Sequence, residues 1–249
     1  HELESGTFYI DSKKGVSSSD HNPFLALKDR KRNEVYGFSL IYSGNHQALV
    51  EKSPHDFSRI QMGINPFDFN WLLKEEESLQ SPEMMMTFSH EGFVKMSQNF
   101  HDIINNNLIT KKWRKKPRPI LFNNWEATYF DFDEKKLLKL ARQAKDLGIE
   151  LFVLDDGWFG KRNDDSSSLG DWYVNRDKLP SGIKGLSEKI NDLGLDFGIW
   201  VEPEMISIDS ELYRKHPEWP VKLNDRKASL GINQLLLHLS NPEVVEYLY

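Results

Sequence analysis

The chain has 249 residues and a formal net charge of −6, from 32 lysines and arginines against 38 aspartates and glutamates. That length fits one large domain or two smaller ones at roughly 150 residues each, and the mildly acidic balance lacks the electrostatic footprint of a nucleic-acid binder. Cysteine is absent, which excludes disulfide scaffolds, thiolate zinc sites and cysteine nucleophiles.

Residues 1 to 90 read as β structure. Short aromatic-rich or alternating runs at Thr7–Ile10, Glu34–Tyr42, Gln47–Glu51, Phe57–Gly63, Phe67–Trp71 and Met84–Phe88 are separated by turn formers such as Ser43-Gly44-Asn45 and Ile64-Asn65-Pro66. Strands at this spacing predict antiparallel sheets, most simply a sandwich. The polar, serine-rich stretch Lys13–Asn22 predicts an exposed loop. From Glu91 to Leu108 the period changes to that of a helix, with Phe93, Met96, Phe100, Ile103 and Ile104 on one face. A basic connector follows, Lys111 to Lys116, and Pro117 and Pro119 end any helix there. This is the expected domain boundary.

Beyond it the texture is α/β. Ile120-Leu121-Phe122 reads as a strand. A helix from about Asp133 sets Leu137, Leu140, Ala141, Ala144 and Leu147 on one face, with Gly148 as its stop. Ile149–Leu154 is a near-continuous apolar strand, as expected of a parallel strand covered on both sides. Ile183, Leu186, Ile190 and Leu193 mark a second helix stopped by Gly194, and Leu195–Val201 a third strand. The joints Asp146-Leu147-Gly148-Ile149 and Asp192-Leu193-Gly194-Leu195 repeat each other 46 positions apart, as αβ units do in barrels and doubly wound sheets. No glycine fingerprint follows the first strand, which favours the barrel. Residues 117–249 number 133, against about 250 for a complete eightfold barrel. The expectation is therefore an incomplete (β/α)8 TIM-type barrel of about three units that stops inside a helix after Ser240-Asn241-Pro242. His1 in place of a starting Met points the same way, to a processed chain or a piece of one.

Barrel chemistry sits at the carboxyl ends of the strands. Here those ends carry Asn123-Asn124-Trp125-Glu126, Asp155-Asp156-Gly157-Trp158 and Trp200-Val201-Glu202-Pro203-Glu204. Adjacent carboxylates after a buried strand must be given donors. A polyhydroxylated ligand supplies them, and the 12% aromatic content, with seven Trp, suits sugar faces as well as core. The bland alternative has Asp156 capping the next loop and Asp155 holding a lysine or arginine. One of Glu202 and Glu204 is expected in a loop-fixing salt bridge. No histidine pair has metal-ligand spacing, so His216 and His238 read as structural.

Pro117 to Phe132, Leu154-Asp155-Asp156-Gly157-Trp158-Phe159-Gly160, Gly170-Asp171-Trp172 and Trp200-Val201-Glu202-Pro203-Glu204-Met205 resemble, in order, the signatures of family 36 glycoside hydrolases, the bacterial α-galactosidases. Asn33–Leu40 and Gln61–Pro66 resemble that family's preceding β-supersandwich domain. The resemblance implies residues 1–90 as the latter part of that domain, 91–116 as linker helix and connector, and 117–249 as the opening part of the catalytic barrel. It implies a retaining hydrolase of terminal α-galactosides such as melibiose and raffinose, with Asp155 and Asp156 on the 4- and 6-hydroxyls and Trp125 and Trp200 lining the pocket. It also implies a homotetramer without metal or organic cofactor. The composition supplies the remaining expectations: no apolar run approaches the roughly 18 residues that span a bilayer, no secretory signal is visible and cysteine is absent, so a cytoplasmic protein that binds neither nucleic acid nor membrane is expected.

Two departures stand out. The family's nucleophile lies in a Lys-Trp-Asp motif on the fourth barrel strand and its acid/base Asp later still, and this chain contains neither. It is expected to be inactive alone, because a retaining glycosidase needs both carboxyl groups. Ile232 and His238 stand where the family has Arg and Asp. Ile offers no charged fork of donors, so altered subsite chemistry is expected. The rival readings are a sugar-binding protein without activity and an α-N-acetylgalactosaminidase-like enzyme.

Overall fold

In the computed structural model, which describes all residues except 1, 56, 223–225 and 229, the chain divides into two units, His1–Lys116 and Pro117–Tyr249. The first holds six strands: β1 (Gly6–Asp11), β2 (Phe24–Asp29), β3 (Glu34–Ile41), β4 (His46–Lys52), β5 (Ser58–Ile64) and β6 (Glu83–Ser89). They form two antiparallel sheets, β1-β4-β5 and β2-β3-β6. Alternate residues face inward, so Leu25, Phe38 and Val50 meet Phe8, Ile10 and Ile60 between the sheets. Helix α1 (Gly92–Ile103) covers the other face of the second sheet with Met96 and Phe100 against Val35. A Cβ on Gly37 would lie 2.5 Å from the Phe100 ring and 2.7 Å from the Met96 sulfur, so only glycine admits the helix at this distance. The helix widens into a π turn, Ile104–Leu108, at its end, closed by the Ile109 N–H on the Ile104 carbonyl at 2.9 Å.

Three details differ from the sequence expectation. Phe67–Trp71 is not a strand. The buried Asn65 amide donates to the carbonyls of Ser12 and His46, and its oxygen takes the Phe67 N–H at 3.0 Å. This Asx turn, with Pro66 unable to donate to a ladder, diverts the chain from the sheet. Strand β2 was not anticipated; its signal was the closing turn, where Asp29 accepts from the N–H groups of Lys31 and Arg32 and Asn33 takes φ 57. Phe93 is exposed and lies under the Lys28 ammonium, 5.5 Å from its ring centre.

The second unit begins with β7 (Leu121–Asn123), the short α2 (Trp125–Thr128), α3 (Glu134–Asp146), β8 (Leu151–Leu154), α4 (Gly182–Asp192) and β9 (Asp196–Ile199). The strands are parallel and lie in the order β7-β8-β9. Asp133 caps α3 by accepting from the Lys136 N–H at 2.7 Å. Leu137 and Ala141 of α3 and Leu186 and Ile190 of α4 pack fully buried on Phe152 and Leu154 of β8. Leu151 and Val153, on the opposite face of β8, are only half-buried. Gly148 and Gly194 end the two helices at φ 83 and 79, as equivalent positions of one repeated joint. Leu147 lies beyond the last turn of α3 and is exposed, not core. Three short elements had no periodicity to announce them: β10 (Met205–Ser207), α5 (Glu211–Lys215) and β11 (Gln234–Leu236). Helix α6 (Pro242–Leu248) follows, capped by Asn241.

Glu134 ties α3 to α4. Its buried carboxylate accepts from the Ser181 N–H at 3.0 Å, the Ser181 hydroxyl at 2.6 Å and the Lys189 ammonium. Burial alone would raise its pKa, but those donors hold it at about 2 instead of 4.5. A depressed carboxylate contributes stability that is present above its unfolded pKa and lost as pH falls through the folded value. Glu134→Gln should therefore destabilise by roughly 2 kcal/mol at pH 7. The gap to the native chain should close between about pH 4.5 and 2. Urea unfolding across that range checks it; a gap independent of pH would show that the charge contributes nothing.

Candidate functional site

Parallel pairing brings three strand ends to one edge. Asn123 lies opposite Val153, and Leu154 opposite Ile199, so the residues that follow each strand emerge together. The Trp200 N–H donates to the Leu154 carbonyl at 2.8 Å, and the Trp158 indole N–H donates to the Trp200 carbonyl at 2.9 Å. On the other side, Asn124 Oδ1 accepts from the Asp155 N–H at 2.8 Å. Asn123 accepts from the Trp125 N–H at 2.7 Å, and its amide donates to Asp155 Oδ2. Asp155 is thus held between the strand ends that carry Trp125 and Trp200, and all three side chains are half-buried.

The two acids of the tandem have different environments. Asp155 Oδ1 accepts from the Asp156 N–H at 2.7 Å, and among the described residues no further side chain donates to its remaining lone pairs. Asp156 is buried and clamped by the equally buried Arg162, whose Nε lies 3.0 and 3.1 Å from its two oxygens and Nη2 2.7 Å from Oδ2. The sequence reading expected both acids to take donors from a ligand; in the structure Asp156 already takes donors from Arg162. Among the described residues Asp156 has an internal arginine and Asp155 does not, the reverse of the bland alternative. An adjacent pair of acids beside a buried strand is tolerated because one of them is neutralised.

Arg162 is the residue that sequence reasoning missed. Its only signal was indirect: a buried acid requires a partner, and this arginine follows six positions later in the same loop. Its Nη1 donates to the Ser167 carbonyl at 2.8 Å, and its guanidinium lies 5.6 Å from the centre of the Phe130 ring. Phe130 meets the Trp125 indole edge-on at 5.0 Å. Gly157, at φ 97, packs its backbone where a Cβ would come within 3.0 Å of Phe130 and 3.2 Å of Phe132. Lys178 closes the loop beneath, its ammonium donating to the carbonyls of Phe130, Gly157 and Arg162 at 3.0 to 3.1 Å. Burial pulls the Lys178 pKa down against the attraction of Asp156 and Asp131.

Glu202 and Glu204 form no side-chain salt bridge among the described residues, contrary to expectation; the one guanidinium in range of Glu202 is engaged by Asp156. Burial, then the charges of Glu204 and Asp156, push the Glu202 pKa up, opposed by Arg162. Asp171 is architectural. It accepts from the N–H groups of Glu211 and Leu212 at 2.9 and 3.0 Å, fixing α5, while the Tyr247 hydroxyl donates to the Gly170 carbonyl at 2.8 Å. His216 stacks on Trp219 at 3.9 Å, and His238 is exposed. Ile232 occupies a two-residue turn closed by paired bonds between Gly231 and Gln234, with a left-handed φ of 56 that a β-branched side chain rarely accepts. Asn233 of that turn donates to Asp165 at 3.4 Å, which sets the turn beside the loop after β8.

A half-open carboxylate between two indole-bearing strand ends can accept from neighbouring hydroxyls while flat rings cover apolar C–H faces. The family model described as melibiase matches residues 78–249, and that of the glycosyl hydrolase family 36 N-terminal domain matches residues 1–74. The chain is 52% identical to alpha-galactosidase AgaA of Geobacillus stearothermophilus over 99% of its own length and 34% of the relative's. It aligns with the crystal structure of the Lactobacillus brevis alpha-galactosidase at a TM-score of 0.96 and 43% identity, covering 100% of this chain and 34% of that one. A substituted form of AgaA solved in complex with raffinose aligns at a TM-score of 0.94 and 52% identity, covering 99% and 35%. The chain thus spans about a third of the length of these relatives.

Proposed function

The chain belongs to the melibiase family, glycosyl hydrolase family 36, and we propose that it forms the galactose-recognising part of a retaining α-galactosidase. In this reading residues 117–249 are the first three units of a (β/α)8 barrel, residues 1–90 belong to the β-supersandwich, and Asp155, Asp156, Trp125 and Trp200 contact the sugar. The observation that carries it is the position of Asp155, half-buried and still able to accept, between the strand ends of Trp125 and Trp200. A terminal galactose offers an axial 4-hydroxyl beside its 6-hydroxyl, two donors on one side of the ring. A carboxylate accepts from both, whereas an equatorial 4-hydroxyl would point elsewhere. Each such charge-assisted bond contributes about 1.5–3 kcal/mol, enough to set galactose apart from glucose.

This part of the protein binds and orients; it does not cleave. Retention requires a nucleophile and an acid/base about 5–5.5 Å apart across the scissile bond. In this reading both come from sequence outside the 249 residues, since the chain contains no Lys-Trp-Asp. The substrates are terminal α-galactosides of the raffinose and stachyose type, which forms of AgaA hold in their crystal structures. The full-length protein should release p-nitrophenol from p-nitrophenyl α-galactoside with retention of configuration, and the 249-residue chain should release none. Binding of galactose without turnover by a folded full-length protein would identify a non-catalytic sugar binder and reject the enzyme. Preference for the N-acetylated galactoside would move it to the neighbouring substrate class.

A further inference from the structure

We infer that Arg162 is a positioning residue of the sugar site, acting on the substrate only through Asp156. The inference rests on the α-galactosidase reading. Arg162 is among the largest fully buried side chains, and its fork holds both oxygens of Asp156, which fixes the plane of that carboxylate. The torsion that turns a carboxylate about its own axis is otherwise broad. The arginine is itself fixed on every side: Nη1 by the Ser167 carbonyl, its face by Phe130, and its backbone carbonyl by the Lys178 ammonium at 3.1 Å. Phe130 in turn touches the Trp125 indole, so one rigid assembly carries both an acid of the tandem and a wall of the pocket.

Stability alone does not account for this arrangement. A buried ion pair is commonly matched or exceeded by apolar residues of the same volume. What apolar residues cannot supply is a carboxylate held in a single orientation next to the open Asp155. A carboxylate has about four lone-pair sites, and the fork approaches from the loop side. The lone pairs that remain can receive a sugar hydroxyl, provided the group does not rotate. Misplacement by about 1 Å in such a site costs on the order of 10²-fold in rate.

The test uses the full-length enzyme, p-nitrophenyl α-galactoside and its 4-deoxy and 6-deoxy analogues. Arg162→Lys keeps the charge but replaces the fork with a single point donor. It should lower kcat/KM on the parent substrate by about 10- to 100-fold, mainly through KM. The penalty for deleting one of the two hydroxyls should shrink toward none, because its contact is already lost. An equal loss on all three substrates, or no loss, overturns the inference. If Arg162→Lys fails to unfold cooperatively, Asp156→Asn is compared with the Asp156→Asn/Arg162→Gln pair, which leaves no unpaired charge. Equal kinetics support action through Asp156 alone, and a slower pair overturns it. A native enzyme that turns over no α-galactoside rejects the enzyme reading and this inference together. A native enzyme that does, beside an unaffected Arg162→Lys, rejects the inference only.

Discussion

Asp155→Asn in the full-length enzyme should lower kcat/KM for p-nitrophenyl α-galactoside by about 10²-fold or more while leaving the unfolding transition close to native. The activity loss follows from what Asp155 has free. Its oxygens accept from the Asn123 amide and the Asp156 N–H, and on the proposed α-galactosidase reading the lone pairs left over are those that two sugar hydroxyls take. Two charge-assisted bonds of about 1.5–3 kcal/mol each correspond to two decades of rate or more at 1.36 kcal/mol per decade. Folding is affected less, because an asparagine oxygen at 155 can still take one of the two protein donors, at a cost of about 1 kcal/mol. Kinetics with thermal unfolding on the same preparation separate the two effects. Native turnover by the variant would mean that Asp155 serves only to lock the strand end.

Removing the guanidinium should have the opposite profile. Arg162→Leu leaves Asp156 buried beside an apolar side chain, and an uncompensated buried charge costs about 3–5 kcal/mol. The urea midpoint of the transition that includes residues 117–249 should fall accordingly. The Arg162→Leu/Asp156→Leu pair should recover most of that loss, since the penalty lies in the orphaned charge and not in the missing pair. Activity should not return with stability, because the second acid of the tandem is gone. A native midpoint for Arg162→Leu would mean that water reaches Asp156 and that the clamp is not a closed one.

The accuracy of the sequence reading depended on the length of each signal. Helix α3 was legible because Leu137, Ala141 and Ala144 recur with the helical period behind an aspartate cap, and because Gly148 ends it. Strands β8 and β9 were legible as apolar runs after repeated joints. The error at Phe67–Trp71 arose because aromatic content resembles a strand, while Asn65 and Pro66 bend the chain out of the sheet. Strands β10 and β11 have three residues each and show no period. Leu147 continued an apolar pattern one residue past the last turn of α3, where the side chain is exposed.

The two textures, the change between them at Lys111–Pro119, the repeated αβ joints and the acids and indoles at three strand ends are all written in the order of the residues. These are local properties, carried by periodicity and by glycine and proline. Which acid of the tandem keeps its lone pairs is settled by the folding of the loop around them. Asp155 and Asp156 are chemically identical, and they differ because the loop after β8 folds back to set Arg162 against one of them while Asn123 and Asn124 of the neighbouring strand end hold the other. Contacts between residues that are distant along the chain, or arranged by a long loop, leave no pattern in the residues themselves.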